Sequence, residues 1–229
     1  MTFNIELARK VASTYSDNQN SEKGLVQSFS LICSFIADNP HNLSWRSKNN
    51  TPSVATENGL EILAERYFSA YRKSDFPTEP VTIPDEIVSI VMQEAYGYNV
   101  EKCEQIKIEH QHSMSAENCV GALLERYLDS VLRPHNWHWC CGDFVKAIDF
   151  ISQTDDGSWL IWQIKNRDNS ENSSSSAIRN GTKIQKWFRS FSRRGGTNWE
   201  NLPKLMQGYE LSEEGFIAFV RNYLKENKK

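Results

Sequence analysis

Three residues of this chain have the types and spacing to do chemistry together: Asp149, Gln163 and Lys165. A carboxylate and an amide oxygen are hard donors of the kind a divalent cation takes, and a lysine beside them can stabilise charge as it develops in a transition state. Their separation suits a hairpin. Asp143 to Ile151 and Ser158 to Lys165 are runs rich in aromatic and β-branched residues, and Asp155, Asp156 and Gly157 between them signal a turn. A three-residue loop with Gly157 in the left-handed position of a G1 bulge sets Thr154 opposite Ser158. Counting back puts Asp149 opposite Gln163 and Ala147 opposite Lys165. Opposed residues and residues two apart share a face, so Asp149, Gln163 and Lys165 converge on one side while Leu160, Trp162 and Ile164 turn to the other. A slip of one residue undoes this.

Taken alone, a Lys165–Asp149 ion pair would explain the pattern. Two neighbours argue for more. Glu125 lies at the end of Gly121-Ala-Leu-Leu-Glu125, with the small Gly121 one turn before the acid, inside a strongly amphipathic stretch from Ser115 to Leu132. Ser115 reads as its cap, Glu117 as a first-turn acid and Pro134 as its stop. A basic, polar segment also begins immediately after Lys165. From Gln163 to Arg194 there are eight bases and two acids, a net of +6. Trp187, Phe188, Phe191 and the polar run Asn169 to Ser176 accompany them, a mixture that suits a phosphate backbone. From Glu79 to Asp129 ten acids face three bases, a net of −7.

The totals conceal this asymmetry. The chain has 229 residues and a net charge of −3, which excludes a globally basic nucleic-acid binder but not a local basic patch. Its 39% hydrophobic content and mean hydropathy of −0.59 suit a globular chain. No apolar run approaches membrane-spanning length, and Met1 to Lys10 lacks the pattern of a secretory signal. Five cysteines without a CxxC pair argue against a disulfide framework, so a reducing cytoplasm is expected.

The remaining elements must position these residues. Helices are expected on Phe3, Leu7 and Val11, on Leu25 to Ile36 behind the caps Asn20 and Ser21, on Gly59 to Arg72, and after Pro84 through Met92. Lys102 to His112 is ambiguous. Further helices fit Ile178 to Phe191 and Ser212 to Lys225. The order predicts an α/β chain: a helical region over 1–112 packed on a core over 113–229, the whole forming one structural domain. After the helix at Ile178 only Lys204 to Leu211 offers a further strand, and Gly208 interrupts it.

Gly121-Ala-Leu-Leu-Glu125, Lys146-Ala-Ile-Asp149-Phe150 and Trp162-Gln163-Ile-Lys165-Asn166 together resemble the PD-(D/E)xK nuclease superfamily. No proline precedes Asp149, and Gln163 stands where the superfamily usually has an acid. The stretches Gln163 to Ser176 and Ile178 to Arg189 resemble the SinI-type restriction endonucleases, and the resemblance spans the chain. It implies a restriction-endonuclease-like core, a small mixed sheet flanked by helices with a helical N-terminal region. It also implies a bacterial, cytoplasmic type II enzyme that cuts double-stranded DNA at GGWCC (W being A or T) with Mg²⁺. A homodimer and a methyltransferase that protects host sites complete that implication, with no membrane involved.

On this resemblance Asp149, Gln163, the Ile164 carbonyl and Glu125 would hold the metal, and Asp149, Gln163, Lys165 and Glu125 would form the catalytic set. Arg167 and Asp168 have the side chains that read guanine and cytosine edges. Asn166, Asn169, Ser173, Ser174, Ser175, Arg179, Lys183, Lys186 and Arg189 would make the remaining DNA contacts, although any one of them in isolation is an ordinary surface residue. Three alternatives stand beside this: a resolvase or repair nuclease of the same superfamily, a non-catalytic DNA-binding protein, and a zinc site in His135 to Cys141, whose spacing fits no ordinary finger and reads better as a core strand entry.

Overall fold

Polar caps and apolar stripes account for the helices. The computed structural model describes residues 3–17, 22–45, 52–168 and 181–228. Asn4 accepts the amides of Glu6 and Leu7 and starts α1, Ile5–Tyr15. Helix α2, Leu25–Asp38, follows Gly24, whose φ of 86° turns the chain into it. The caps expected at Asn20 and Ser21 lie outside the described residues. Thr56 caps α3, Glu57–Arg72, through the amide of Gly59. These three helices bury Ala8, Val11, Phe29, Ile32, Leu63 and Tyr67 against one another.

Helix α4 spans Glu86–Tyr96 and α5 spans Val100–Leu132. The ambiguous stretch 102–112 is therefore helical. Asn99 accepts the amide of Lys102 and is the cap. Ser115 lies inside the helix, and its hydroxyl donates to the Thr78 carbonyl at 2.7 Å. Competition from that carbonyl, contributed by a distant segment, is invisible to a local pattern. The division expected between 112 and 113 falls within this helix.

The core is a four-stranded mixed sheet flanked by helices, in which strands consecutive in sequence are neighbours in space. Strand β1 is His138–Trp139, β2 is Phe150–Gln153 and β3 is Trp159–Arg167, all antiparallel in sequence. The hairpin keeps the anticipated register, with Phe150 opposite Trp162 and Gln153 opposite Trp159. Gly157, at φ 81°, donates its amide to the Thr154 carbonyl. Helix α6, Glu213–Glu226, closes the chain behind its cap Ser212.

Two expected elements differ. Only the end of Asp143 to Ile151 is strand. Gly142, Asp143 and Ala147 have left-handed φ values of 100°, 59° and 55°, and this turn bonds to the loop at Asn42 to Ser44 instead of to β3. Ala147 therefore does not pair with Lys165. The expected helix Ile178 to Phe191 is instead, within its described part, β4, Gln185–Ser190, running parallel to β3. Ile184, Trp187, Phe188 and Phe191 have helical spacing, but the open edge of β3 offers a full ladder of backbone partners, and tertiary pairing overrides that local pattern. This is the further core strand; Lys204 to Leu211 forms turns.

Candidate active site

The turn at 142–147 delivers Asp149 to the end of β2, where the regular ladder stops. Its amide donates to the Trp162 carbonyl at 2.9 Å, and its carbonyl accepts from the Cys140 amide, just past β1, at 2.8 Å. Its carboxylate accepts the Ile164 amide at 2.6 Å, a side chain standing where a backbone acceptor would be. The group is thus held in one orientation from three sides.

Helix α5 crosses the face of β3 that carries Lys165 and Arg167. Glu117, Gly121 and Glu125 recur every fourth residue and so share one side of that helix. Between helix and strand lies a cleft of about 370 Å³ lined by Glu117, Asn118, Gly121, Glu125, Lys165 and Arg167. At its outer end Arg167 pairs with Glu117 at 3.5 Å. At its inner end the Trp139 indole donates to Glu125 at 2.8 Å.

Burial raises Glu125 to about 8, and the charge of Asp149 adds to the rise; the indole and Lys165 pull the other way. Burial also raises Asp149, against the pull of Lys165 and of the Ile164 amide. Two carboxylates that repel each other, with the Ile164 carbonyl nearby and one lysine at hand, form an oxygen donor set short of positive charge. Such a set fits a hard divalent cation. Gln163 occupies the expected position on β3, opposite Lys186 on β4, but it is 1% exposed and does not line the cleft.

The expected DNA-contacting residues divide. Asn166 accepts from Arg189 at 3.0 Å, and Arg189 also pairs with Glu213 at 2.5 Å. Asp168 accepts the Ser192 amide at 2.8 Å. Lys183 is exposed and Lys186 half-buried. Asn169, Ser173, Ser174, Ser175 and Arg179 lie outside the described residues.

Within the His135–Cys141 stretch, Trp137 to Cys141 are core, while His135 and Asn136 are exposed. His138 exchanges a hydrogen bond with Ser28 at 2.9 Å, and burial lowers it to about 4. Cys140 and Cys141 are buried, with thiols pushed well up by desolvation. Among the described residues no three His, Cys, Asp or Glu side chains group to hold a metal ion.

A family model for the SinI restriction endonucleases matches residues 6–226. The chain belongs to this family. It is similar to the type II restriction enzyme SinI of Salmonella infantis, with 44% identity over 228 residues, 99% of this chain and 98% of that one. It is also similar to the type II restriction enzyme Eco47I of Escherichia coli, with 46% identity over 222 residues, 96% and 95% of the two chains. The chain is thus a restriction endonuclease, a hydrolase of DNA phosphodiesters.

Within that frame the sequence pattern missed Trp139 and underused Glu117 and Asn118. Glu117 was legible as part of the four-residue repeat ending at Glu125. Trp139 carried no local signal, since only the β1–β2 pairing brings its indole to Glu125.

Proposed function

We propose that this chain is a type II restriction endonuclease that cuts double-stranded DNA at GGWCC with Mg²⁺ as cofactor. The observation that carries this is Glu125 and Lys165 on the wall of one cleft, with the Asp149 charge close enough to act on Glu125, in a chain of this family. Asp149, Glu125 and the Ile164 carbonyl would hold the cation, with Gln163 behind them. A cation held there would supply Lewis-acid polarisation of the scissile phosphate and of an attacking water. Lys165 orients that water and stabilises the negative charge that grows on the phosphate. The Trp139 indole fixes the Glu125 carboxylate, and the Ile164 amide fixes Asp149.

Arg167 stands at the cleft mouth, where a phosphate or a guanine edge competes with Glu117 for its guanidinium. Lys183 and Lys186 supply phosphate contacts, and Asn166, Asp168 and Arg189 shape the wall beside them. A palindromic site calls for twofold symmetry, so the working form is a homodimer with one cleft per strand. The enzyme acts in the bacterial cytoplasm, paired functionally with a methyltransferase that protects host sites.

The test is plasmid DNA incubated with the purified protein, with and without Mg²⁺, followed by sequencing of the ends. Cuts confined to GGWCC and dependent on Mg²⁺ are expected. Cutting of branched substrates alone points to a resolvase, and salt-sensitive binding without cleavage points to a non-catalytic binder.

A further inference from the structure

Helix α4 and the first half of α5 lie together as a hairpin with its apolar side chains outward. Of the fourteen large hydrophobic residues exposed among the described ones, eleven fall between Val81 and Met114. Val81 and Ile83 are 94% and 95% exposed, and Ile87, Ile90 and Val91 form a helical stripe along α4 that is half or more exposed. In α4 only Ser89 is buried, and before Ser115 in α5 only Cys103. No residue from 76 to 114 joins the hydrophobic core.

We propose that this hairpin is the surface on which a second copy of the chain docks. The inference rests on the homodimer part of the proposed function and assigns its surface. Single-copy proteins rarely expose contiguous apolar patches beyond a few hundred Å². At about 90 Å² per apolar side chain, the exposed parts of these eleven residues amount to on the order of 600 Å² per chain, approaching the ~800 Å² per partner of a standard interface. Residues 81–114 hold six carboxylates against two lysines, which repels both DNA phosphates and an anionic lipid surface; a second copy carries the same charge, so its docking buries the apolar stripe and leaves the carboxylates at a solvated rim. A second hairpin of the same kind brings its own apolar stripe and completes a four-helix packing about a twofold axis.

The same helix reaches the cleft. Ile108 on the hairpin and Glu125 in the cleft are joined by uninterrupted α5, about 25 Å of helix at 1.5 Å per residue. Pairing at the hairpin therefore sets where the two clefts stand, which a palindrome requires.

The experiment replaces Ile87→Glu together with Val91→Glu, one turn apart on α4. Light scattering reads the mass, circular dichroism the fold, and gel electrophoresis the cutting of a supercoiled plasmid carrying one GGWCC site. The unaltered protein should have twice the 26.4 kDa chain mass and the variant one chain mass, with unchanged helix content and loss of double-strand cutting. A folded variant that keeps the doubled mass overturns the surface while the homodimer stands. An unaltered protein of one chain mass, alone and on a site duplex, overturns the homodimer and the surface with it. Should the glutamates unfold the chain, Ile87→Ser with Val91→Ser meets the same two outcomes.

Discussion

Two acids one turn apart on α5, Glu125 and Asp129, both leave water, yet they stand in opposite surroundings. Asp129 is 3% exposed and takes a two-pronged contact from Arg133. That guanidinium also donates to the Tyr71 hydroxyl at 2.7 Å and the Lys23 carbonyl at 3.2 Å, and it lies over the Tyr71 ring. Burial still raises Asp129, but the cation beside it opposes the rise. Glu125 meets an indole donor and a second carboxylate, on the wall of an open cleft. The first arrangement is neutral, its paired guanidinium edging a separate cleft of about 590 Å³; the second accumulates like charge beside a space that something can enter. A folding unit builds the first kind, and a site for a cation and a phosphate needs the second.

The largest effect that could break this contrast is on chemistry. Asp149→Ala or Lys165→Ala should lower plasmid cleavage at least about a thousandfold while gel-shift binding of the site duplex stays close to normal. Thermal melts should show a folded protein of modestly lower stability, since Asp149→Ala leaves the Ile164 amide without its acceptor, a cost of about 1–3 kcal/mol that cannot account for a thousandfold loss of cutting by a folded chain. Normal cutting by either variant would remove Asp149 or Lys165 from the site.

The mirror experiment concerns Asp129. Arg133→Met leaves a buried carboxylate unpaired and should cost roughly 3–5 kcal/mol of stability in urea unfolding. Cleavage per folded molecule should be retained. If this variant melts like the parent but cannot cut, the two clusters are not distinct in kind.

A smaller effect comes from a third pair that is partly open. Arg72 holds Glu22 below its usual range, with the contact at 2.6 Å. A depressed carboxylate contributes stability above its unfolded value of about 4.5 and loses it as pH falls through the folded value. Glu22→Gln should therefore lower the melting temperature near neutrality and flatten its fall below about pH 4.5. An unchanged acid limb would show that the pair contributes nothing.

How far these contrasts were legible in the sequence depends on how local their causes are. The β2–β3 register followed from Asp155, Asp156 and Gly157, because a short turn dictates its flanking ladder. Glu125, Asp149 and Lys165 followed from that register and a helical repeat. The β4 strand did not, since a parallel partner is chosen by β3 and not by the spacing of Trp187 and Phe188. Neither did the turn at Asp143 and Ala147, whose left-handed backbone is maintained by the Asn42 to Ser44 loop. That the hydrophobes of α4 face outward was not legible, for the same reason. An apolar stripe announces that it will be covered, without saying by which chain.

The smallest expected effect sharpens the boundary of the site. Gln163 shares the face of Lys165 by strand alternation, yet it is buried beneath the cleft and does not line it. If its amide serves as a ligand, the change Gln163→Glu supplies a charged oxygen in its place, and cleavage should stay within about tenfold of the parent, since a tenfold change corresponds to about 1.4 kcal/mol. The cost should appear without the cation. A third carboxylate near Glu125 and Asp149 adds like charge in a desolvated place, so the melting temperature in EDTA should fall and recover with Mg²⁺ more than the parent's does. Recovery shows an oxygen that the ion can use. A melting temperature that falls and stays low places Gln163 with Asp129, among the groups that support the fold and never meet the phosphate.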